Sequence, residues 1–189
     1  MTPYAFTADE ISDLLAELDE RLRRAGISAA AFIVGGAAVA VRSSSDRRRT
    51  EDVDAITRDE ILVAESRAIA RERGLPEDWL NGSAAMWMPP LPDGVLDHRA
   101  EPGLRVTYAS DEFLLATKLI ASRRKDAEDV RELAERTDMT GATAHALEAL
   151  IYRYYTDQGA LEMIIDGTDV STEVRLLAEA AARMLSRDR

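Results

Sequence analysis

The chain contains no cysteine. That absence excludes a disulfide framework and any thiolate metal site, and it fits the reducing cytoplasm, which is the expected location. Histidine is scarce too. His98 and His145 have no ligand partner at metal spacing, so a zinc centre is not expected. No apolar run approaches membrane-spanning length. The opening M-T-P-Y-A-F-T-A-D-E carries neither a basic region nor an apolar core, so it does not read as a signal peptide, and no membrane partner is expected. Several catalytic signatures are missing: Gly-x-Ser-x-Gly, a Ser-His-Asp pattern, the Walker lysine motif and G-x-G-x-x-G. Basic charge is also short. Against 35 Asp and Glu stand 24 Lys and Arg, a formal balance of −11. Such a chain is not an obvious nucleic-acid binder, although a local basic patch can hide within a negative total. The 189 residues suit one domain, or one with a small appendage, and suffice to bury a core.

What is present centres on the stretch from Ile33 to Ile56. A short apolar run ends in Gly35-Gly36, and an apolar segment able to start a helix follows. A polar, arginine-rich loop leads to Glu51-Asp52-Val53-Asp54-Ala55-Ile56. Side chains two apart on a strand share a face, so Asp52 and Asp54 present two carboxylates side by side. Like charges that close are unfavourable unless something cationic sits between them. Oxygen ligation by one or two carboxylates, completed by water and substrate phosphates, suits Mg²⁺. The Gly-Gly turn at a helix N-terminus lets backbone N–H groups approach a phosphate closely. One strand–turn–helix–strand unit thus offers a phosphate cradle and a metal seat. The acids alone would also suit a nuclease, but they would not explain the glycines.

Taken in order, Thr7-Ala-Asp-Glu10 forms a capping box, and Ile11, Leu14, Leu15, Leu18 and Leu22 follow at helical spacing to a Gly26 cap. The pattern predicts a helix over about Thr7–Ala25, a strand over Ala31–Val34, a helix from Ala37 and a strand over Val53–Ile56. Another helix runs over Arg58–Arg73, with Ile61, Leu62, Ala68 and Ile69 inward and Gly74 ending it. Leu75–Asn81 reads as a turn or short helix in which Trp79 anchors the core. Met86–Gly103 contains four prolines and reads as an irregular connection of lid or substrate-loop length. Leu104–Tyr108 is a third strand. Ser110 caps a helix to about Ser122, another helix starts at Asp126, and helices over Thr143–Tyr155 and Val174–Leu185 follow. The chain divides into a mixed core, residues 1–109, and a helical region, residues 110–189.

Two basic features adjoin this chemistry. Arg47, Arg48 and Arg49 lie between the Gly pair and the acids. They form either a solvated loop or, because arginine matches phosphate bidentately, a phosphate contact. Lys118 lies among Leu114, Leu115, Leu119 and Ile120; it either snorkels outward or points at a site. Asp126 and Asp129 are one helical turn apart and share a face. The plain reading makes them N-terminal acids complementing a helix dipole.

Gly35-Gly36 followed by Arg49-Thr50-Glu51-Asp52-Val53-Asp54 resembles the signature of the DNA polymerase beta-like nucleotidyltransferases. The R-T-x-D-x-D form is most similar to the AbiEii and MenT toxin branch. The loop before Asp52 is longer than usual in that branch, through Ser43-Ser44-Ser45-Asp46. The resemblance implies an α+β fold: a small mixed sheet with flanking helices, plus a helical C-terminal half that completes the active site. It implies transfer of a nucleoside monophosphate from an NTP, with Mg²⁺ on Asp52 and Asp54 and the nucleotide held by Gly35, Gly36, Arg49, Thr50 and Lys118. Toxin-branch enzymes carry a late lysine and then a K/R-D-x-x-D element, so Asp126 would complete the acidic set, with Asp129 its rival. Other members of the superfamily place the third acid on a strand, and Leu104–Tyr108 has none. The branch further implies a tRNA acceptor and a cognate antitoxin. The alternatives are modification of a protein or a small molecule, or a non-catalytic module that binds a nucleotide or partner.

Overall fold

The computed structural model describes residues 4–43, 49–165 and 169–186. The chain divides into two compact units, Met1–Ala85 with Pro92–Ala109, and Met86–Leu91 with Ser110–Arg189. The architecture is α+β, with one four-stranded mixed sheet and, among the described residues, eight α-helices. No helix among the described residues is long and apolar enough to cross a membrane.

The first unit begins with α1 (Ala8–Ala25). Its capping box forms as the sequence predicts. The Glu10 N–H donates to Thr7 Oγ1 at 3.2 Å, and the Thr7 N–H donates to Glu10 Oε2 at 2.8 Å. The backbone bond from Thr7 is the main cause that holds the Glu10 carboxyl below its usual range. Ile11, Leu14, Leu15, Leu18 and Leu22 form the buried face. Gly26 ends the helix at φ 69°, a conformation that costs glycine little.

Strand β1 (Ser28–Ile33) is buried from Ala29 onward. Such a run suits a central strand covered on both faces. It pairs in parallel with β4 (Gly103–Tyr108), from Ser28 opposite Gly103 to Ile33 opposite Tyr108. On its other side it pairs antiparallel with β2 (Val53–Ile56), and β2 pairs in parallel with β3 (Leu80–Asn81), giving the order β3-β2-β1-β4. Helix α2 (Gly35–Arg42) connects β1 to the loop before β2, and α3 (Glu60–Arg73) follows β2. Leu75–Asn81 differs from the expected turn or helix, because its last two residues add the fourth strand. Trp79 is fully buried, and its indole N–H donates to the Ser66 carbonyl at 2.9 Å. From Gly82 to Pro102 the only regular structure is a single 3-10 turn, Ala85–Trp87.

The second unit is helical: α4 (Asp111–Ala121), α5 (Ala127–Arg136), α6 (Ala144–Tyr154), α7 (Gln158–Ile164) and α8 (Val170–Ser186). Helix α4 is the hub. It packs against α5, α6 and α8, and every residue from Phe113 to Ile120 is buried. Ser110 caps it by accepting the Phe113 N–H at 3.2 Å. The Phe113 ring meets Tyr154 edge-on at 5.6 Å. The Tyr155 hydroxyl donates to the Trp87 carbonyl at 3.0 Å, which ties Met86–Leu91 to this unit.

Where β2 leaves the sheet, side chains take over the edge of β1. Asp59 Oδ2 accepts the N–H of the fully buried Ala30 at 2.9 Å, and the Thr57 hydroxyl donates to the Ala30 carbonyl at 2.7 Å. His98, about half exposed, bonds the same Asp59 carboxylate. Removing the acceptor of a buried N–H costs about 1–3 kcal/mol. Asp59→Ala should therefore lower the urea midpoint by that equivalent, whereas His98→Ala, at an exposed pair, should cost at most about 1 kcal/mol.

Candidate functional site

The Gly pair occupies the point where β1 gives way to α2. Val34 is extended, and its N–H donates to the Asp54 carbonyl at 2.9 Å, which fastens the turn to β2. Gly35 then adopts φ 63°, in the left-handed region. A Cβ at Gly35 would run into Asp54 Oδ2, and one at Gly36 would lie 2.9 Å from Thr50 Oγ1. A side chain at either position would displace Asp54 or Thr50, and Gly35 is needed for its backbone conformation as well. No side chain caps α2, and its first turn contains no acid. The N-terminal end of the helix, with its partial positive charge, therefore opens next to the Asp54 carboxylate.

The acidic strand is held from both directions. Thr50 pairs with Phe6 in an isolated antiparallel bridge, and its hydroxyl donates to the Asp52 carbonyl at 3.0 Å. The Val53 N–H donates to the Trp79 carbonyl at 2.6 Å. Val53 and Ala55 are buried, while Asp52, Asp54 and Ile56 are partly exposed. This alternation places Asp52 and Asp54 on one face, as their spacing predicts.

Asn81, on β3 opposite Asp54, ends the Leu75–Asn81 segment, for which the sequence predicts a turn or short helix and no site role. Its side-chain NH₂ donates to Asp52 Oδ2 at 2.9 Å. A two-residue strand carries too little periodicity to be recognised in advance. Arg49 is exposed and donates to the Ala5 carbonyl at 3.2 Å. Arg47 and Arg48 lie outside the described residues.

The first unit therefore brings together Gly35, Gly36, Thr50, Asp52 and Asp54. Two carboxylates on one face beside an uncapped helix start fit a hard divalent cation whose other ligands are water and phosphate oxygens. Asp52 and Asp54 are the residues that could hold it. Among the described residues no group of three or more His, Asp or Glu forms a metal cluster. His145 is exposed, and His98 is engaged with Asp59. The charged groove between α1 and α3 is a poorer candidate. Its Arg21 is bonded to Glu72 and Glu17, and its Arg73 is paired with Glu17, so its cations are already matched.

The second unit brings together Lys118, Asp126 and Asp129. Lys118 is only 8% exposed, which corrects the snorkelling reading. Its ammonium contacts Asp126 Oδ1 at 2.9 Å and Asp129 Oδ2 at 2.5 Å. The turn Arg124–Asp126 and the start of α5 fold the two acids back onto α4. Asp126 stands at the N-cap of α5 yet makes no side-chain capping bond; its carboxylate serves the lysine. Removing the lysine leaves two partly exposed carboxylates without their donor, which costs about 1–3 kcal/mol. Lys118→Ala should lower stability by about that amount in urea unfolding. Adding Asp126→Asn and Asp129→Asn should recover part of the loss.

A family model described as "Nucleotidyltransferase of unknown function (DUF6036)" matches residues 9–175. No curated protein and no solved structure matches the chain.

Proposed function

The chain belongs to this nucleotidyltransferase family, and from that premise we propose a Mg²⁺-dependent transfer of a nucleoside monophosphate from an NTP to tRNA, as the toxin of a toxin–antitoxin pair in the cytoplasm. The observation that carries the reading is the contact between the Gly turn and the acidic strand, where Gly35 has no room for a Cβ because Asp54 is there. A phosphate chain lying on the N–H groups of Gly35 and Gly36 is thereby set beside the two carboxylates. The acceptor hydroxyl attacks the α-phosphorus and forms a new P–O bond. The bond to the β-phosphate breaks, pyrophosphate leaves, and the hydroxyl proton is released. Asp52 and Asp54 would hold Mg²⁺, which when bound neutralises the triphosphate and aligns it for in-line attack. Thr50, whose hydroxyl lies against Gly36, and its sequence neighbour Arg49 are assigned to the nucleotide. Lys118 is assigned to the phosphates, and Asp126 to the acidic set with Asp129 as its rival; the buried ion cluster of these three fixes their mutual geometry.

The assignment of tRNA and of the antitoxin partner rests on the R-T-x-D-x-D resemblance and on one charged feature. Arg123, Arg124 and Lys125 are consecutive and exposed, and none of the three has an ion pair among the described residues. Their neighbours Asp126 and Asp129 are turned to Lys118.

Two measurements test the proposal. With purified protein, Mg²⁺ and α-labelled NTPs, label should enter tRNA, and Asp52→Ala or Asp54→Ala should cut the rate about 10²–10³-fold. That is the size expected for a metal contributing several kcal/mol. Full activity in both variants rejects the metal assignment, and label in a protein or small molecule instead of tRNA rejects the acceptor.

In the second test, tRNA affinity should fall linearly on a log–log salt plot, with a slope of about −0.7 to −0.9 per phosphate contact. Arg123→Ala with Arg124→Ala should flatten that slope and leave NTP binding unchanged. Salt-independent binding overturns the tRNA reading.

A further inference from the structure

Asn81 lies outside the Gly and Asp motifs yet touches Asp52 of the proposed metal seat, and both ends of its amide are committed. Its Oδ1 accepts the Ser83 N–H at 2.9 Å. Its Nδ2 donates to the Asp78 carbonyl at 3.2 Å and to Asp52 Oδ2 at 2.9 Å. This pattern allows only one orientation of the amide. Rotating it by 180° would set Oδ1 against a carboxylate and a carbonyl, and the NH₂ against a backbone N–H. The side chain is therefore a fixed donor aimed at one oxygen of Asp52.

An aspartate carboxylate otherwise rotates broadly about its terminal torsion. The Asn81 donor removes that freedom and occupies Oδ2. Asp52 Oδ1 has no hydrogen-bond partner among the described residues, so it is the atom left to face a cation. The donor is neutral, so it fixes the carboxylate without cancelling its charge, as a lysine would. The backbone supports the same geometry. Asn81 is the register partner of Asp54 in the parallel β2–β3 pair, so the strand beside one acid carries the side chain that orients the other.

We infer that Asn81 is a positioning residue that holds Asp52 in its metal-accepting orientation. The inference rests on the assignment of Asp52 and Asp54 as metal ligands. Outer partners that orient ligating carboxylates typically control metal affinity or activity by about 10–100-fold.

The test is an EPR titration of the full-length protein with Mn²⁺ alone, accompanied by thermal unfolding of each variant. Wild type should bind Mn²⁺, and Asp52→Ala should lose that binding. Asn81→Ala and Asn81→Val should each weaken it by about 10–100-fold. Valine suits a strand, so it decides the matter if the alanine variant does not fold. Ser83→Pro removes the turn donor and leaves the amide NH₂ in place, so it should keep affinity close to wild type.

If Asp52→Ala abolishes binding while both Asn81 variants bind as wild type does, the role of Asn81 is overturned and the metal seat stands. Equal weakening by Ser83→Pro, or loss of folding in both Asn81 variants, also overturns it in favour of turn structure. If wild type does not bind Mn²⁺, or binds no better than Asp52→Ala, the metal assignment fails and this inference falls with it.

Discussion

The first unit depends on a backbone contact between a glycine and a carboxylate. Gly35 can enter α2 only in the left-handed region, and Asp54 can lie beside it only because no Cβ intervenes. The Val34 N–H, bonded to the Asp54 carbonyl, keeps the two segments in register. A methyl group at Gly35 would displace the Asp54 carboxylate and would also be strained by the left-handed backbone. The strand is pinned by Trp79 and Asn81 on one side and by β1 on the other, and Trp79 is itself locked into the core by its bond to Ser66. The rigidity of the site therefore originates in packing several residues away from the chemistry.

The second unit solves a different electrostatic problem. Helix α4 is buried along nearly its whole length, yet it carries an ammonium. An isolated buried charge is prohibitively unfavourable, and two carboxylates from the next turn and helix answer it. Because Asp126 and Asp129 both reach the same nitrogen, the crossing of α4 and α5 is specified by charge as well as by Val130 and Leu133 in the core. A hydrophobic residue at Lys118 would pack but would not select that register.

Much of this was legible in the sequence, and the reasons are local. The Thr7–Glu10 box, the apolar periodicity of α1 and the capping glycines Gly26 and Gly74 act within one or two turns, so spacing alone reports them. The shared face of Asp52 and Asp54 follows from strand geometry. What the sequence concealed depends on distant partners. β1 begins at Ser28 rather than Ala31, because alanine carries almost no strand preference and pairing with β4 supplies the missing stabilisation. β3 exists only as a neighbour of β2. The direction of Lys118 could not be read from α4, since the acids that draw it inward belong to the following turn and helix. The link from Asn81 to Asp52 spans β2 and β3 and has no signature in either segment.

The parallel pairing of β1 with β4 has a consequence for how the chain acquires this arrangement. Ser28 meets Gly103, and the whole of α2, β2, α3 and β3 lies between them. During synthesis the glycine turn and both acids leave the ribosome while β1 still has an open edge, lined by the small apolar residues Ala29, Ala30 and Ala31. Contacts that close so long a loop are slow to form, and unpaired strand edges invite association with other chains. The glycine turn and the acidic strand are thus translated well before the sheet that supports them can be completed. The interval ends only when Gly103–Tyr108 becomes available to cover the exposed side of β1.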